Sequence, residues 1–578
     1  MLTRPVFAHL RVVFTLLFAF SLLAPTQAAP PVTRLEVPLT TWKFNAQSSA
    51  RAIEQAAFDD HAWQSVTLPH TWNSKTQTQT YRAAWYRTHF ALDQADKERE
   101  IFVCFDGVGT LADVYLNGTL LGSHRGAFTR FLFDATRAVH FDGDNVLVVR
   151  CDTAPADTID CLPAGNGFQL YHVPGGLYRP VHLLKTSSIQ IDPTDMAASG
   201  VFLTPQNVSA DSANLQIKTL VRNDGLASDV TVTNRVYDQA DKVIATVSSK
   251  LTLDAQSSGS ALLYASLLKP HLWSTTDPYL YRVVTTTTAD GLVTDTVTER
   301  TGLRFFQMTP AGFFLNGVST PLRGVSKHQE TEEHGSAVTP ADLRRDWDDL
   351  ADLGVNYVRL AHYPHAKLEY DLADERGIVI WAENGHSNSA PPTETGIQLT
   401  REMILQNYNH PSICFWSIGN EAIQTYDDIT TLEEYADVAR AEDPSRLITY
   451  ASDTAFDEDP SLDFVAANRY SGWYGGSIAS FDLHAAYYHY ISETGAGGVI
   501  SIHTPAAKPT HKVNSYEPEE YQQEVAESRC ETVFRTLTSQ VPLFTWWTFR
   551  DFSDPRYKGV NAKGLETFGG FRKDVYYL

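Results

Sequence analysis

Three rhythms of apolar and polar positions succeed one another along the chain. From residue 30 to about 187, short runs alternate with period two: Ile101 to Phe105, Ala112 to Leu116, Thr119 to Ser123 and Val146 to Asp152. That is the period at which strand side chains point to opposite faces of a sheet. Asn117-Gly118 separates two of the runs, and both residue types accept the positive φ of a two-residue hairpin. Many short strands at close spacing predict a β-sandwich. From 188 to about 304 the chain is poorer in aromatics and richer in Thr, Ser, Val and Asp. Val230 to Val236, Lys242 to Val247, Ala261 to Ala265, Tyr281 to Thr287 and Val293 to Glu299 recur at strand length, which fits an immunoglobulin-like sandwich. No catalytic pattern falls here, and the expected role is a spacer that packs its neighbours together.

From Phe305 to residue 578, apolar runs alternate with amphipathic stretches, the βα signature of a parallel sheet. Candidate strands are Pro321–Val325, Val355–Leu360, Ile378–Ala382, Ile413–Ile418, Leu447–Ala451, Phe464–Ala467, Tyr490–Ser492 and Leu543–Thr548. Pro340 to Leu353 reads as a helix with Thr339 as N-cap and Pro340 in its first turn, the positions those residues favour. Eight such strands predict a (β/α)8 barrel. No Gly-x-Gly-x-x-Gly follows any strand, which argues against a dinucleotide site on an open sheet.

Composition narrows the function. Of 578 residues 43% are hydrophobic and 20% charged, which is globular. The 46 basic and 68 acidic side chains leave a net charge of −22, against a nucleic-acid partner and against a surface seeking anionic lipid. In residues 1–29, Arg4 and Arg11 precede the apolar run Val12 to Ala24, then Pro25, Thr26, Ala28 and Ala29. This is the layout of a signal peptide and is short for a membrane span. The chain is therefore expected to be exported, periplasmic or secreted, without membrane insertion. The five cysteines (Cys104, Cys151, Cys161, Cys414, Cys530) form no Cys-x-x-Cys pair. A Cys151–Cys161 bridge stays open, as does the oligomeric state, a homo-oligomer included.

Chemistry in a barrel collects at the C-terminal ends of the strands. Here those ends run into Lys327-His328-Gln329-Glu330, Arg359-Leu360-Ala361-His362-Tyr363, Glu383-Asn384-Gly385-His386, Gly419-Asn420-Glu421, Asn468-Arg469-Tyr470 with Trp473 beyond, Glu493, and Trp546-Trp547 followed by Arg550 and Asp551. Glu421 and Glu493 end the fourth and seventh strands, which face each other across a barrel mouth. Paired carboxylates cleave acetals: one protonates the leaving oxygen, and the other attacks or stabilises the oxocarbenium-like centre.

The residues then resemble glycoside hydrolase family 2, over the whole chain after residue 29. Asn409-His410-Pro411-Ser412 with Phe415-Trp416-Ser417-Ile418-Gly419-Asn420-Glu421 resembles its acid/base signature. Arg323-Gly324-Val325-Ser326-Lys327-His328, Arg359-Leu360-Ala361-His362-Tyr363-Pro364 and Asn468-Arg469-Tyr470-Ser471-Gly472-Trp473-Tyr474 resemble its first, second and sixth strand motifs. The resemblance implies a jelly-roll sandwich at 30–187, an immunoglobulin-like sandwich at 188–304 and a catalytic barrel at 305–578. It implies Glu421 as general acid/base and Glu493 as nucleophile of a retaining double displacement. Asn420 would bond the sugar 2-hydroxyl, Tyr470 would hold the nucleophile, and His328, Arg359, His362, Asn468 and Trp473 would join the substrate site. Trp547 would floor the subsite, with Trp546 as the register alternative. The family often has an acid ahead of the segment matched here by Gly175-Gly176-Leu177-Tyr178-Arg179; Asn166 to Leu170 contains none, and Asp160 is the nearest.

For the sugar, Asn561-Ala562-Lys563 resembles the Asn-x-Lys pattern with which β-glucuronidases of the family hold a carboxylate. The second-strand segment is closer to the galactosidase branch. The expected activity is β-galactosidase on terminal β-linked galactose. The alternatives are a β-glucuronidase or β-galacturonidase using Asn561 and Lys563, or an inactive carbohydrate-binding protein. Large galactosidases of the family use Mg²⁺, and Glu383 and His386 suggest a place for it, but no obligatory metal or cofactor is expected.

Overall fold

The structure, a computed structural model, describes residues 34–46, 51–73, 82–153, 171–309, 311–387, 393–423, 426–454, 461–481, 489–504, 517–536, 541–554 and 559–578. Residues 1–29, Asp160, Cys161 and Asn166 to Leu170 lie outside them, and with them the expected signal peptide and one half of the cysteine pair. Cys151 itself is a buried free thiol in the first sandwich core.

Two sheets form the first sandwich. One orders Leu35–Pro38, Val181–Thr186, Glu100–Phe105 and Phe131–Asp134. The other orders Gln64–Thr67, Thr41–Asn45, Ala83–Ala91, Asp144–Asp152, Leu111–Leu116 and Thr119–Arg125. Inward residues such as Trp42, Tyr86, Val103, Phe105, Val114, Leu147 and Val149 form its core. Asn117 and Gly118 adopt φ of 52° and 86° in the hairpin their sequence predicts. The middle sandwich pairs a sheet built on Ser212–Asn223 with a second ordered Val243–Leu253, Ser228–Tyr237, Tyr281–Ala289, Leu292–Thr301.

Eight parallel strands then close a barrel: β1 (Leu322–Lys327), β2 (Tyr357–Leu360), β3 (Val379–Glu383), β4 (Ile413–Asn420), β5 (Leu447–Ser452), β6 (Phe464–Asn468), β7 (Tyr490–Thr494) and β8 (Leu543–Trp546). Every candidate strand forms, most of them ending one or two residues later than expected; β8 is shorter because Trp547 turns away at the mouth. Alternation sorts the side chains. Tyr357, Val379, Trp381, Phe415, Phe464 and Leu543 fill the lower interior together with Phe313 and Leu315 of the hairpin Phe306–Thr309/Gly312–Leu315. Val358, Leu360, Ile380, Trp416 and Ile418 face the helices α1 (Pro340–Asp352), α2 (Lys367–Arg376) and α3 (Thr393–Gln406) and their neighbours. Burial on both faces is why these strands read as continuous apolar runs. Gly324 is required where β1 and β2 meet, because a Cβ there would lie 1.8 Å from the Tyr357 carbonyl oxygen.

The sandwiches clamp the barrel through specific polar contacts. Arg179 donates to Phe128 O (2.5 Å) in its own domain, and to Gln329 Oε1 (2.7 Å) and Pro364 O (2.9 Å) at the barrel mouth. Phe128 stacks on Tyr363 at 4.1 Å. Glu402 on α3 accepts from Thr129 Oγ1 (2.5 Å) and lies 3.1 Å from His124 Nε2. Asn409, within the motif before β4, bonds one strand of the middle sandwich, Val201–Gln206: its Oδ1 accepts from Leu203 N and its Nδ2 donates to Val201 O. Among the described residues no helix is long and apolar enough to cross a membrane.

Glu402→Ala strips an acceptor from two buried groups of the first sandwich, at roughly 1–3 kcal/mol for each group left unsatisfied. The expected outcome is a lower denaturation midpoint, read by calorimetry.

Candidate active site

The polar layer of the barrel interior sits directly above its apolar layer. Arg359 is the last inward residue of β2, Glu383 that of β3 and Asn468 that of β6, while Asn420, Glu421 and Glu493 stand where β4 and β7 break register with their neighbours. The guanidinium of Arg359, fully buried, ties them together. Nε donates to Glu383 Oε1, Nη1 to Glu493 Oε1 (2.7 Å) and Nη2 to Asn420 Oδ1 (2.8 Å). Burial alone would weaken its charge; Glu383 and then Glu493 outweigh that and hold it firmly protonated. In return Arg359, then His362, hold the Glu383 carboxyl below the usual range against the effect of burial.

Glu493 also accepts from the Tyr470 hydroxyl at 2.6 Å. Glu421 receives Asn468 Nδ2 at 2.6 Å, and Asn468 in turn reaches Asn420 Oδ1 (3.1 Å) and accepts from Ser492 Oγ (2.7 Å). Burial, followed by the nearby charge of Glu493, pushes the Glu421 carboxyl up to about 7. Glu421 holds φ of 49°, left-handed backbone that costs a non-glycine residue of order 1–3 kcal/mol and persists only where its surroundings enforce it. Here Asn420 N bonds His386 O, Glu421 N bonds Ala451 O, and Ala422 N and Ile423 N both donate to the Tyr450 hydroxyl.

A cavity of about 600 Å³ opens over this layer, lined by His362, Asn420, Glu421, Asn468, Tyr470, Glu493, Trp547 and Lys563 of the expected residues. Trp547 stacks on His362, with ring centroids 4.8 Å apart, whereas Trp546 turns into the core between strands and helices; this resolves the register. The remaining expected residues stand behind the wall. Arg359 lies beneath the carboxylates. His328 is buried between Phe552 and Trp547, its imidazole kept neutral by burial and then by His362 and His365. Asn561 directs Nδ2 to Asp554 Oδ2 at 3.0 Å. Trp473 also stands behind the lining: after the turn at Gly472 it packs in the core near Tyr521, with its ring 5.5 Å from the Lys563 ammonium. Sequence reasoning missed Asp453, Arg469, Ser471, Tyr474, Gly475 and Gly476 in the lining. Asp453 follows β5, the one strand end left unread, and would have been found by carrying the same rule through.

Neither metal candidate fits a cation. The Glu383 oxygens are taken by Arg359 and Trp381 on one side and His362 on the other. Among the described residues Asp371, Asp374 and His410 also gather, but Asp374 accepts from Ser412 N and Oγ and faces His410 Nδ1, while Asp371 binds Lys367 and Arg300. That cluster fastens β4 to α2.

A carboxyl that keeps its proton near neutrality beside a second carboxylate held by a cation and a phenol is the pairing that acetal cleavage uses. On a closed barrel with two β-sandwiches before it, that pairing marks the class of glycoside hydrolases. The comparisons agree. The description "Glycosyl hydrolases family 2, TIM barrel domain" matches residues 306–494, "Glycosyl hydrolases family 2" matches 197–304, and "Glycosyl hydrolase 2 galactose-binding domain-like" matches 60–169. A β-glucuronidase of Bacteroides fragilis is 34% identical over 560 residues, covering 89% of this chain and 77% of that protein. A β-galactosidase of Thermoanaerobacter pseudethanolicus is 29% identical, covering 70% of this chain and 54% of that one. A solved Bacteroides uniformis β-glucuronidase 2, covalently bound to cyclophellitol-6-carboxylate aziridine, superposes with a TM-score of 0.87 at 29% identity, covering 94% of this chain and 69% of that one. The chain belongs to glycosyl hydrolase family 2 and is a glycosidase.

Glu421 is expected to titrate near pH 7 rather than at its ordinary 4.5. Infrared difference spectroscopy of the carboxyl band would follow it. Glu493→Gln removes the neighbouring negative charge and should move that titration downward; an unmoved band would mean the two groups are not coupled.

Proposed function

We propose that the protein is an exo-acting, retaining β-glycosidase whose sugar carries a carboxylate, a β-glucuronidase or β-galacturonidase. The observation that carries the choice of sugar is the place of Lys563. Its ammonium stands in the cavity wall, 2.7 Å from the Tyr474 hydroxyl and 5.7 Å from the centre of the Tyr470 ring. The Tyr470 hydroxyl donates to Glu493, so the cation sits one aromatic ring away from the carboxylate. A lysine ammonium suits a sugar carboxylate at that spacing. Asn561 supports the reading less, because its amide nitrogen serves Asp554. The β-galactosidase expected from the second-strand segment is the second reading, favoured by relatives that bear that name.

In the proposed reaction Glu493 attacks the anomeric carbon while Glu421 gives its proton to the departing oxygen. Asn420, fixed by Arg359 and Asn468, is aligned to bond the 2-hydroxyl, an interaction that strengthens in the transition state. Trp547 offers its face to the ring. Once the ester forms, Glu421 has lost its proton to the leaving group, and with Glu493 a neutral ester no repulsion opposes its charge, so it stays ionised and can take a proton from the attacking water. We also infer export from the pattern of residues 1–29, which N-terminal sequencing of the protein from periplasm or medium would check.

Nitrophenyl β-glucuronide, β-galacturonide and β-galactoside assayed side by side decide the sugar; cleavage of the galactoside alone overturns the uronide reading. Lys563→Met should lower kcat/KM on the uronide about 10²-fold or more, the worth of roughly 3 kcal/mol for a charge-assisted bond, and leave any galactoside rate nearly unchanged. Roles are separated with azide. Glu421→Ala should yield the β-glycosyl azide and Glu493→Ala the α-azide; the opposite products would exchange the two assignments.

A further inference from the structure

Glu383 has no part in the roles assigned above, yet it is a buried carboxylate with three partners beneath the cavity. It ends β3 facing the interior and is 1% exposed. Oε1 accepts from Arg359 Nε and from Trp381 Nε1 (3.0 Å); Oε2 lies 2.8 Å from His362 Nδ1. Both partners lead to Glu493: Arg359 donates to it at 2.7 Å, and His362 Nε2 stands 4.0 Å from it. We propose that Glu383 is a positioning residue for the reaction, the standing counter-charge that holds Arg359 and His362 in place while the charge on Glu493 is consumed and restored. The proposal rests on Glu493 being the nucleophile.

Charge bookkeeping through the cycle carries the argument. At rest one guanidinium faces two carboxylates. In the first step a Glu493 oxygen bonds the anomeric carbon, the bond to the leaving oxygen breaks, and that oxygen takes the proton of Glu421. Glu493 is then a neutral ester. With Glu383 present, Arg359 still has one anion and the pair remains neutral. Without that charge, a fully buried cation would face a neutral ester and, just before it, the positive character of the anomeric centre. Glu493 at rest would also be the sole anion on Arg359, more tightly held and a poorer nucleophile. The same carboxylate faces His362 Nδ1 at 2.8 Å, while Nε2 is the ring nitrogen nearer Glu493.

The test compares Glu383→Gln, which keeps an acceptor but loses the charge, with Glu383→Asp, which keeps the charge and withdraws it by one methylene. The readouts are the pH dependence of kcat/KM and single-turnover rates on whichever glycoside the wild type cleaves. The charged and titratable groups facing Glu383 are Arg359, His362 and Tyr357; those facing Glu493 are Arg359, His362, Tyr470, Glu421 and Asp453. Removing one buried negative charge favours the anion of Glu421. Glu383→Gln should therefore move the limb that Glu421 sets to lower pH, cut kcat/KM at least about ten-fold, and slow ester formation more than ester hydrolysis, in which Glu493 regains its charge. Glu383→Asp should shift that limb the same way by less than half as much. A limb that stays in place while both variants lose rate equally would reduce Glu383 to a structural part and overturn the proposal, as would an unimpaired Glu383→Gln. If melting curves show Glu383→Gln unfolded, that limb of Glu383→Asp decides alone: shifted downward it supports the proposal, unmoved it overturns it. Glu493→Gln separates the levels. If it is inactive and that limb of Glu383→Gln does not move, only the present proposal fails; if it is active, the reading beneath fails too.

Discussion

A fully buried guanidinium shared between two carboxylates holds the mouth of this barrel together. Arg359 reaches Glu383 on the next strand, Glu493 across the interior and Asn420 beside the second acid. Taking that much charge out of water is expensive unless every member is paired and hydrogen-bonded. The price is met here by a network in which each donor has its acceptor and each acceptor leads toward the cavity. Move the guanidinium, and the side chains around Glu493 and Asn420 lose their common reference.

The network sits where it does because the barrel is layered. Below it, Tyr357, Val379, Trp381, Phe415, Phe464 and Leu543 pack against the plug residues Phe313 and Leu315 and keep water out from beneath. Above it, the first sandwich braces the mouth: Arg179 reaches Gln329 and Pro364, and the Tyr171 ring lies 5.3 Å from that of His328 and 6.0 Å from that of His362. The middle sandwich grips β4 from behind through Asn409. The segment that carries Glu421 is therefore tied to the middle sandwich as well as to its own strand.

Strand positions were legible because a parallel strand buried on both faces leaves a dense apolar run, and the chemistry was legible because polar residues ended those runs. What could not be read was depth. Trp473 and Trp547 follow strand ends in the same manner, yet one faces the core and the other the cavity; the difference lies in the turn at Gly472 and the closure of β8. Arg359 and His328 read as substrate contacts but stand one layer back. The bond between Arg359 and Glu383 depends on the register of β2 against β3, which periodicity does not specify. Asn409 looked like part of a catalytic signature and serves as a clamp between domains.

The order of these parts along the chain has a temporal consequence. Glu421 and Glu493 precede β8, which closes the barrel by pairing with β1 and β7. Trp547 and Lys563, both in the cavity wall, come later still. A nascent chain that has already delivered both acids thus has an open sheet, no aromatic floor and no cation until residues 543 to 563 have emerged. A product interrupted between Glu493 and β8 would carry the acids without a place to use them.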